Sequence, residues 1–168
     1  AGLRPHLLIL TLSAVLGGGG CASSSAVPSP FPGAIPPPST APERTGFRSE
    51  GVVQDALRFV GVPYRNGGSD PTGFDCSGFT KYVFGLSRLP LPREVREQFQ
   101  VGRKLALRKS APGDLIFFST TAPGATHVGV VLSDHQFIHA PSNSGAVRIE
   151  SYRIPYWSRR IVGVRRVN

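Results

Sequence analysis

Apolar residues recur at helical spacing twice early in the folded part of the chain and give way to strand-like runs after it. From Gly51 to Val60, Val52, Val53, Ala56, Leu57 and Val60 gather on one side, which predicts an amphipathic helix ended by Gly61-Val62-Pro63. A second helix is predicted to begin within Gly73-Phe74-Asp75-Cys76-Ser77-Gly78-Phe79. Asp75 suits the N-cap, and Phe79, Val83 and Phe84 follow on one face. Leu89-Pro90-Leu91-Pro92 breaks the chain, and Arg93 to Gln100 fits a short helix with Val95 and Phe99 inward. After the turn Ala111-Pro112-Gly113-Asp114, the run Leu115-Ile116-Phe117-Phe118 reads as a buried strand. Further strands are predicted from His127 to Leu132, Gln136 to His139, Val147 to Glu150 and Ile161 to Val167, with Tyr156-Trp157 anchoring the last connection. Helices first and strands afterwards predict an α+β domain with a mainly antiparallel sheet.

The first forty-five or so residues have a different character. Leu7 to Leu16 is an apolar run too short to span a bilayer and shaped like the core of a signal peptide. It leads through Gly17-Gly18-Gly19-Gly20 to Cys21, a pattern that resembles a bacterial lipoprotein signal, in which that cysteine is lipidated and becomes the new N-terminus. The alternative is an ordinary secretory signal, with Cys21 trimmed away or left free. Ala22 in place of Asp resembles the sorting pattern for an outer membrane facing the periplasm, if the source has one. From Ala22 to Thr45 the chain is Ser, Ala and Pro, with Pro28, Pro30, Pro32, Pro36, Pro37, Pro38 and Pro42 marking an extended tether. At about 3.1 Å per residue it would hold a domain up to roughly 75 Å from a membrane. The division expected is therefore a signal peptide over 1–20, a tether over 21–45 and one domain over 46–168.

Charge adds a constraint on partners. The 168 residues carry a formal +9, and six arginines (Arg148, Arg153, Arg159, Arg160, Arg165 and Arg166) crowd the last twenty-one positions. For an exported chain, a basic surface favours anionic lipid, teichoic-type polymers or the carboxylates of cell-wall peptides. The same arginines also fit a solvated face that aids solubility. No aromatic-interleaved basic motif points to nucleic acid.

The chemistry centres on Cys76. There are two cysteines, so if Cys21 is acylated or removed, Cys76 stays unpaired in a disulfide-permissive compartment. A lone cysteine is often a small core residue. In the first turn of a helix, however, the N-terminal partial charge stabilises a thiolate, and a nucleophile at neutral pH is expected there. A thiolate needs an imidazole to hold the ion pair and protonate a leaving amine, and that imidazole needs an orienting partner. His127 and His139 are placed to supply both, making Cys76, His127 and His139 a candidate triad; His135 falls in the intervening turn and reads as solvent-exposed.

The pairing sets a geometric condition. A strict two-residue turn at Asp134-His135 would put His127 and His139 on opposite faces, so the hairpin should carry a three-residue loop or a bulge near Ser133 to Gln136. The Gly- and Pro-rich loop from Pro63 to Gly73 precedes the nucleophile and should help build its pocket. Within it Tyr64 reads either as a substrate contact or as a structural tyrosine capping the loop. No Cys/His cluster has zinc spacing, and neither a metal nor another cofactor is expected.

Taken together, the chain from about Arg48 to Val167 resembles the NlpC family of bacterial cell-wall cysteine peptidases, closest to its short Spr-type lipoprotein members. The resemblance rests on Val62-Pro63-Tyr64-Arg65 with Gly67-Gly68, Phe74-Asp75-Cys76-Ser77-Gly78-Phe79, Leu91-Pro92-Arg93 and Pro112-Gly113-Asp114-Leu115-Ile116-Phe117-Phe118. It continues through His127-Val128-Gly129-Val130, Phe137-Ile138-His139-Ala140, Pro155-Tyr156-Trp157 and Arg165-Arg166-Val167. It implies a papain-like fold, with N-terminal helices packed on a half-barrel sheet, and cleavage of amide bonds in peptidoglycan stems or cross-links. It also implies Cys76 as nucleophile, His127 as base and His139 as the orienting member. By the same resemblance Tyr64 lines the cleft, while Asp75 and Ser77 match positions that in some members hold the free amine of a stem peptide. Asp75 equally fits a helix cap alone. A catalytically idle wall-binding lipoprotein, and an amidase or acyltransferase on the same framework, are the competing readings.

Overall fold

The computed structural model describes residues 44–142 and 145–168, and of residues 44–48 the backbone alone. The expected signal peptide, Cys21 and nearly all of the tether lie outside the described residues. Among the described residues four α-helices and eight strands follow in chain order: α1 (Arg44–Leu57), β1 (Ser69–Asp70), β2 (Gly73–Phe74), α2 (Cys76–Leu86), α3 (Val95–Gln98), β3 (Arg103–Leu105), β4 (Leu115–Phe118), β5 (His127–Ser133), β6 (Gln136–His139), β7 (Arg148–Ser151), α4 (Pro155–Ser158) and β8 (Ile161–Arg166). Six of the strands form one sheet in the order β3-β8-β4-β5-β6-β7. Every pairing in it is antiparallel, so the domain is α+β, as the order of the elements predicts.

Alternation along the strands divides the core in two. Leu115 and Phe117 of β4, Val128 and Val130 of β5, and Ile138 of β6 face the helices, where they meet Val52, Ala56, Phe74, Phe79, Val83 and Phe84. Ile116, Phe118, Val131 and Phe137 face the other way and are covered by Trp157, Tyr152 and Val164. Each such fully buried side chain contributes about 1.5–3 kcal/mol relative to exposure. Because the second face also carries His127 and His139, its cover determines the surroundings of both imidazoles.

Helix α2 is fixed at both ends by local chemistry. Asp75 sits in extended backbone and its Oδ1 accepts the Gly78 N–H at 2.7 Å, the N-cap expected from sequence. At the other end Arg88 takes a left-handed φ of 58°. The Leu89 N–H then reaches Phe84 O, and the Arg88 N–H reaches Gly85 O, closing a Schellman turn. The helix start also lies hard against the preceding loop: a Cβ on Gly78 would fall 2.0 Å from Gly68 O. Only glycine permits that approach, and it sets Cys76 at the mouth of the loop.

Three expectations are corrected. Helix α1 begins at Arg44, within the segment assigned to the tether, and ends at Leu57; Val60 lies beyond it, 50% exposed, and Leu57 is 42% exposed. The helix after the prolines spans only Val95–Gln98, and its fully buried residue is Gln98, with Val95 and Phe99 half-buried. Gln98 is inside because it satisfies buried groups: its Nε2 donates to Ser77 O and Pro92 O, and its Oε1 accepts the Thr80 hydroxyl. Strand β3 was not expected; two of its three residues are exposed and basic, and it forms by pairing with β8.

Candidate active site

Cys76 is the first residue of α2, half-buried, and its thiol meets the backbone N–H groups of Ser77 and of Val128 on β5. The sulfur therefore touches the sheet one residue beyond His127. Burial pushes the Cys76 thiol up to about 11, with the Asp75 carboxylate adding to the shift, against the N–H groups that lower it. Burial therefore works against the thiolate expected at the helix start. A helix N-terminus is worth up to about 1 kcal/mol here, less than one pKa unit, and desolvation exceeds it.

The β5–β6 hairpin meets the condition set by the histidines. Its turn contains two residues, Asp134 and His135, the latter at φ 74°. Beyond the turn, Ser133 pairs Gln136 while Val131 pairs Phe137, so the register shifts by one residue at Leu132. That bulge returns His127 and His139 to one face. His127 Nε2 and His139 Nδ1 lie 2.8 Å apart, with the rings at 88° and both side chains buried. Burial holds His127 down at about 4, and burial together with the His127 and Arg148 charges lowers His139 further. Burial thus favours the neutral form of both imidazoles.

The other expected site residues surround the loop side of α2. Asp75 has no vacancy for an amine. Its Oδ1 accepts from Gly78 N and from Arg93 Nη1 at 3.1 Å; its Oδ2 accepts from Gly67 N and from Arg93 Nη2. Arg93 Nη1 also donates to the Ser77 hydroxyl at 2.8 Å, and Ser77 is buried. The structure thus joins Asp75, Ser77 and Arg93 in one cluster that ties the start of α2 to the chain after the prolines. Tyr64 lies close enough for Cys76 and Asp75 to raise its pKa, after burial as the first cause. A hollow of about 310 Å³ lined by Ser69, Lys81, Tyr82, Gly85, Leu86 and Arg93 opens along the outer side of α2.

Two residues that the sequence reading treated only as strand end and structural anchor lie beside the histidines. Trp157 stacks on His127 with ring centroids 5.5 Å apart and an interplanar angle of 25°. Glu150 accepts the Trp157 indole N–H and pairs with Arg148, and its Oε2 is 3.6 Å from His139 Nε2. The available signal was that Glu150 is the one acidic residue within the arginine-rich C-terminal stretch. Among the described residues no group of three or more His, Cys, Asp or Glu could hold a metal ion. No described helix is long and apolar enough to cross a membrane.

Comparison with known proteins places this geometry in context. The sequence pattern of the NlpC/P60 family matches residues 61–166. Over 118 residues the chain is 42% identical to a gamma-DL-glutamyl hydrolase of Bacillus subtilis, covering 68% of this chain and 28% of the relative. It is 41% identical over 121 residues to the murein DD-endopeptidase MepH of Escherichia coli, covering 69% and 45%. With the Escherichia coli murein DD-endopeptidase MepS/murein LD-carboxypeptidase it shares 41% over 117 residues, covering 69% and 61%. The chain thus spans less than two thirds of the length of these curated relatives. Among solved structures, an NlpC/P60 family protein from Bacillus cereus superposes with a TM-score of 0.67 at 30% identity, covering 71% of this chain and 40% of that one. The NlpC/p60 domain of the peptidoglycan hydrolase SagA gives 0.63 at 31%, covering 71% and 98%.

Proposed function

For a chain that belongs to the NlpC/P60 family, we propose a peptidoglycan hydrolase, a cysteine endopeptidase acting on amide bonds of murein stem peptides or cross-links. The observation that carries this reading is the His127–His139 hydrogen bond of 2.8 Å, set on the strand whose next N–H meets the Cys76 thiol. The relatives' names support the substrate class, and they divide between a DL-glutamyl bond and a DD cross-link at nearly equal identity.

In this reading His127 Nδ1 takes the Cys76 proton as the sulfur adds to the amide carbonyl, so the nucleophile is generated in the attack and not beforehand. The N–H groups of Cys76 and Ser77, at the start of α2, are placed to stabilise the oxyanion. The C–N bond breaks as His127 returns the proton to the leaving amine, giving a thioester and a free amine. Water, deprotonated by the same imidazole, then releases the carboxylic acid and restores the thiol. Tyr64 borders the cleft. Asp75, saturated by two backbone N–H groups and Arg93, holds the helix start and carries Ser77 with it in this scheme, in place of an amine-binding role.

The reading extends to an exported protein lipidated at Cys21 and held to a membrane by the proline-rich stretch, supported by the Leu7–Leu16 run and the residues around Cys21. The test is digestion of purified peptidoglycan by the full chain and by Cys76→Ala, with muropeptides resolved by mass. Loss of cross-linked dimers or shortening of stems by wild type alone is expected, and names the bond. Unchanged muropeptides with sedimentation of both proteins on the wall would refute the enzyme and favour a binding module. Fractionation of Cys21→Ala beside wild type tests the anchor, which predicts release from membranes.

A further inference from the structure

The hydrogen-bonded histidine pair has two possible proton arrangements, and only one of them leaves His127 able to act as a base. His127 Nε2 and His139 Nδ1, 2.8 Å apart, share a single proton. If His127 carries it, His127 Nδ1 is a free acceptor toward the thiol, and the proton of His139 resides on Nε2. If His139 carries it on Nδ1, His127 is protonated on Nδ1 and cannot take the thiol proton. The charge facing His139 Nε2 decides between the two.

That atom is fully buried and has no hydrogen-bond partner; the carboxylate oxygen Glu150 Oε2 stands 3.6 Å away. The same oxygen accepts the indole N–H of Trp157, while Glu150 Oε1 receives Arg148 Nε at 2.6 Å. Trp157 in turn stacks on His127 and meets His139 edge-on, with centroids 5.0 Å apart at 87°. The charged or titratable groups around His139 are thus His127 from β5 and Arg148 and Glu150 from β7, with neutral Trp157 from α4. A hollow of about 230 Å³ lined by Arg148, Glu150, Ile154, Tyr156 and Trp157 opens beside the carboxylate and leaves it 20% exposed.

We propose that Glu150 is a positioning residue for the base: its carboxylate holds the His139 proton on Nε2, keeps His127 Nδ1 open toward Cys76, and anchors Trp157 against the His127 ring. The statement about Cys76 rests on the cysteine-peptidase reading; the statement about tautomers does not. An i, i+2 pair of opposite charge on a strand reads as a solvated face in sequence, and Glu150 does its work through the register that sets it diagonally across from His139.

The experiment uses the full chain labelled with ¹⁵N-histidine, as wild type, Glu150→Gln, Glu150→Asp and Trp157→Phe, with Cys76→Ala as the catalytic control. Nitrogen–proton correlation spectra read the tautomers directly, and peptidoglycan digestion at varied pH gives kcat and KM. Glu150→Gln keeps shape and removes charge. It is expected to move the His127 proton toward Nδ1, lower kcat about 10- to 100-fold and leave KM within about twofold, the scale of other residues that orient a ligating imidazole. Glu150→Asp should restore part of both. Trp157→Phe, which keeps an aromatic ring but loses the N–H, should leave the tautomers as in wild type. If Glu150→Gln retains the wild-type tautomers and kcat while Cys76→Ala is inactive, the proposal is overturned and the enzyme stands. If Cys76→Ala digests like wild type, the cysteine-peptidase reading falls and the spectra still decide the role of Glu150.

Discussion

Gly129 offers the sharpest test of how the hairpin builds the histidine pair. It lies on β5 two residues beyond His127, on the same face. A Cβ at this position would fall 2.7 Å from Phe137 Cδ2, 2.8 Å from Ile138 O and 3.1 Å from His139 Cβ. The phenylalanine ring can rotate a little, but the Ile138 carbonyl belongs to the β5–β6 ladder through the Val130–Ile138 pair and has nowhere to retreat. An ordinary carbon–oxygen contact needs about 3.3 Å, so Gly129→Ala must drive β6 outward by about 0.5 Å. The same displacement stretches the 2.8 Å contact between the imidazoles to about 3.3 Å, past the usual range for a nitrogen hydrogen bond.

Overpacking of this kind costs about 1–3 kcal/mol, and the weakened hydrogen bond adds about 1 kcal/mol. Since a displacement of about 1 Å at a catalytic group costs about 100-fold, half of that should lower kcat about tenfold. Urea unfolding gives the first quantity and muropeptide release the second. Gly85→Ala is the control, because nothing lies within 4 Å of its Cβ position and it should stabilise α2 by about 0.5–1 kcal/mol. A Gly129→Ala protein within about 0.5 kcal/mol of wild type and within twofold in rate would refute the argument.

Two further outcomes follow from burial of the site's titrating groups. His127 falls from 6.5 to about 4 on folding, so below pH 6.5 the unfolded chain binds a proton that the folded chain refuses. Stability must therefore drop as pH falls from 6.5 toward 4, by about 2 kcal/mol at pH 5 and about 3 kcal/mol in full; urea midpoints at pH 7 and 5 measure it, and an equal decline in His127→Gln would exclude this cause. The Cys76 thiol, raised from 9.0 to about 11, should alkylate with iodoacetamide at a rate that still climbs at pH 9, with about a hundredfold less thiolate at pH 7 than free cysteine; a plateau by pH 8 would contradict burial as the dominant effect.

What the sequence makes legible is what neighbouring residues decide among themselves. Asp75 caps α2 through an N–H three residues away, and Leu115–Phe118 is apolar enough to be a strand in any context. A break in register at this hairpin was legible for a different reason: strand parity requires a bulge or a three-residue loop to bring two histidines together across a short turn, and the structure has the bulge at Leu132. Missed features depend on partners far along the chain. Gln98 reads as a surface residue because its value lies in the Ser77 and Pro92 carbonyls and the Thr80 hydroxyl that it pairs. Strand β3 consists of Arg103, Lys104 and Leu105, a sequence with little preference for a sheet until β8 supplies the edge. The upward pull of burial on Cys76 was missed because a helix N-terminus is visible in sequence and desolvation is not.

That misreading bears on how the site works. A helix start, three nearby N–H groups and two imidazoles would together suggest a permanent ion pair, yet burial of the thiol and both rings outweighs them. In the proposed mechanism the charges arise together, as sulfur adds to a carbonyl and the proton crosses to His127, at the moment when fixed N–H dipoles and Glu150 can stabilise them at no further cost of reorganisation. A thiol raised in this way offers oxidants less standing thiolate, which suits a lone cysteine proposed to work outside the cytoplasm. In the proposed arrangement the His127–His139 hydrogen bond, with the Glu150 carboxylate 3.6 Å from His139, has a purpose beyond holding a ring in place, since it sets where the proton goes before any charge exists.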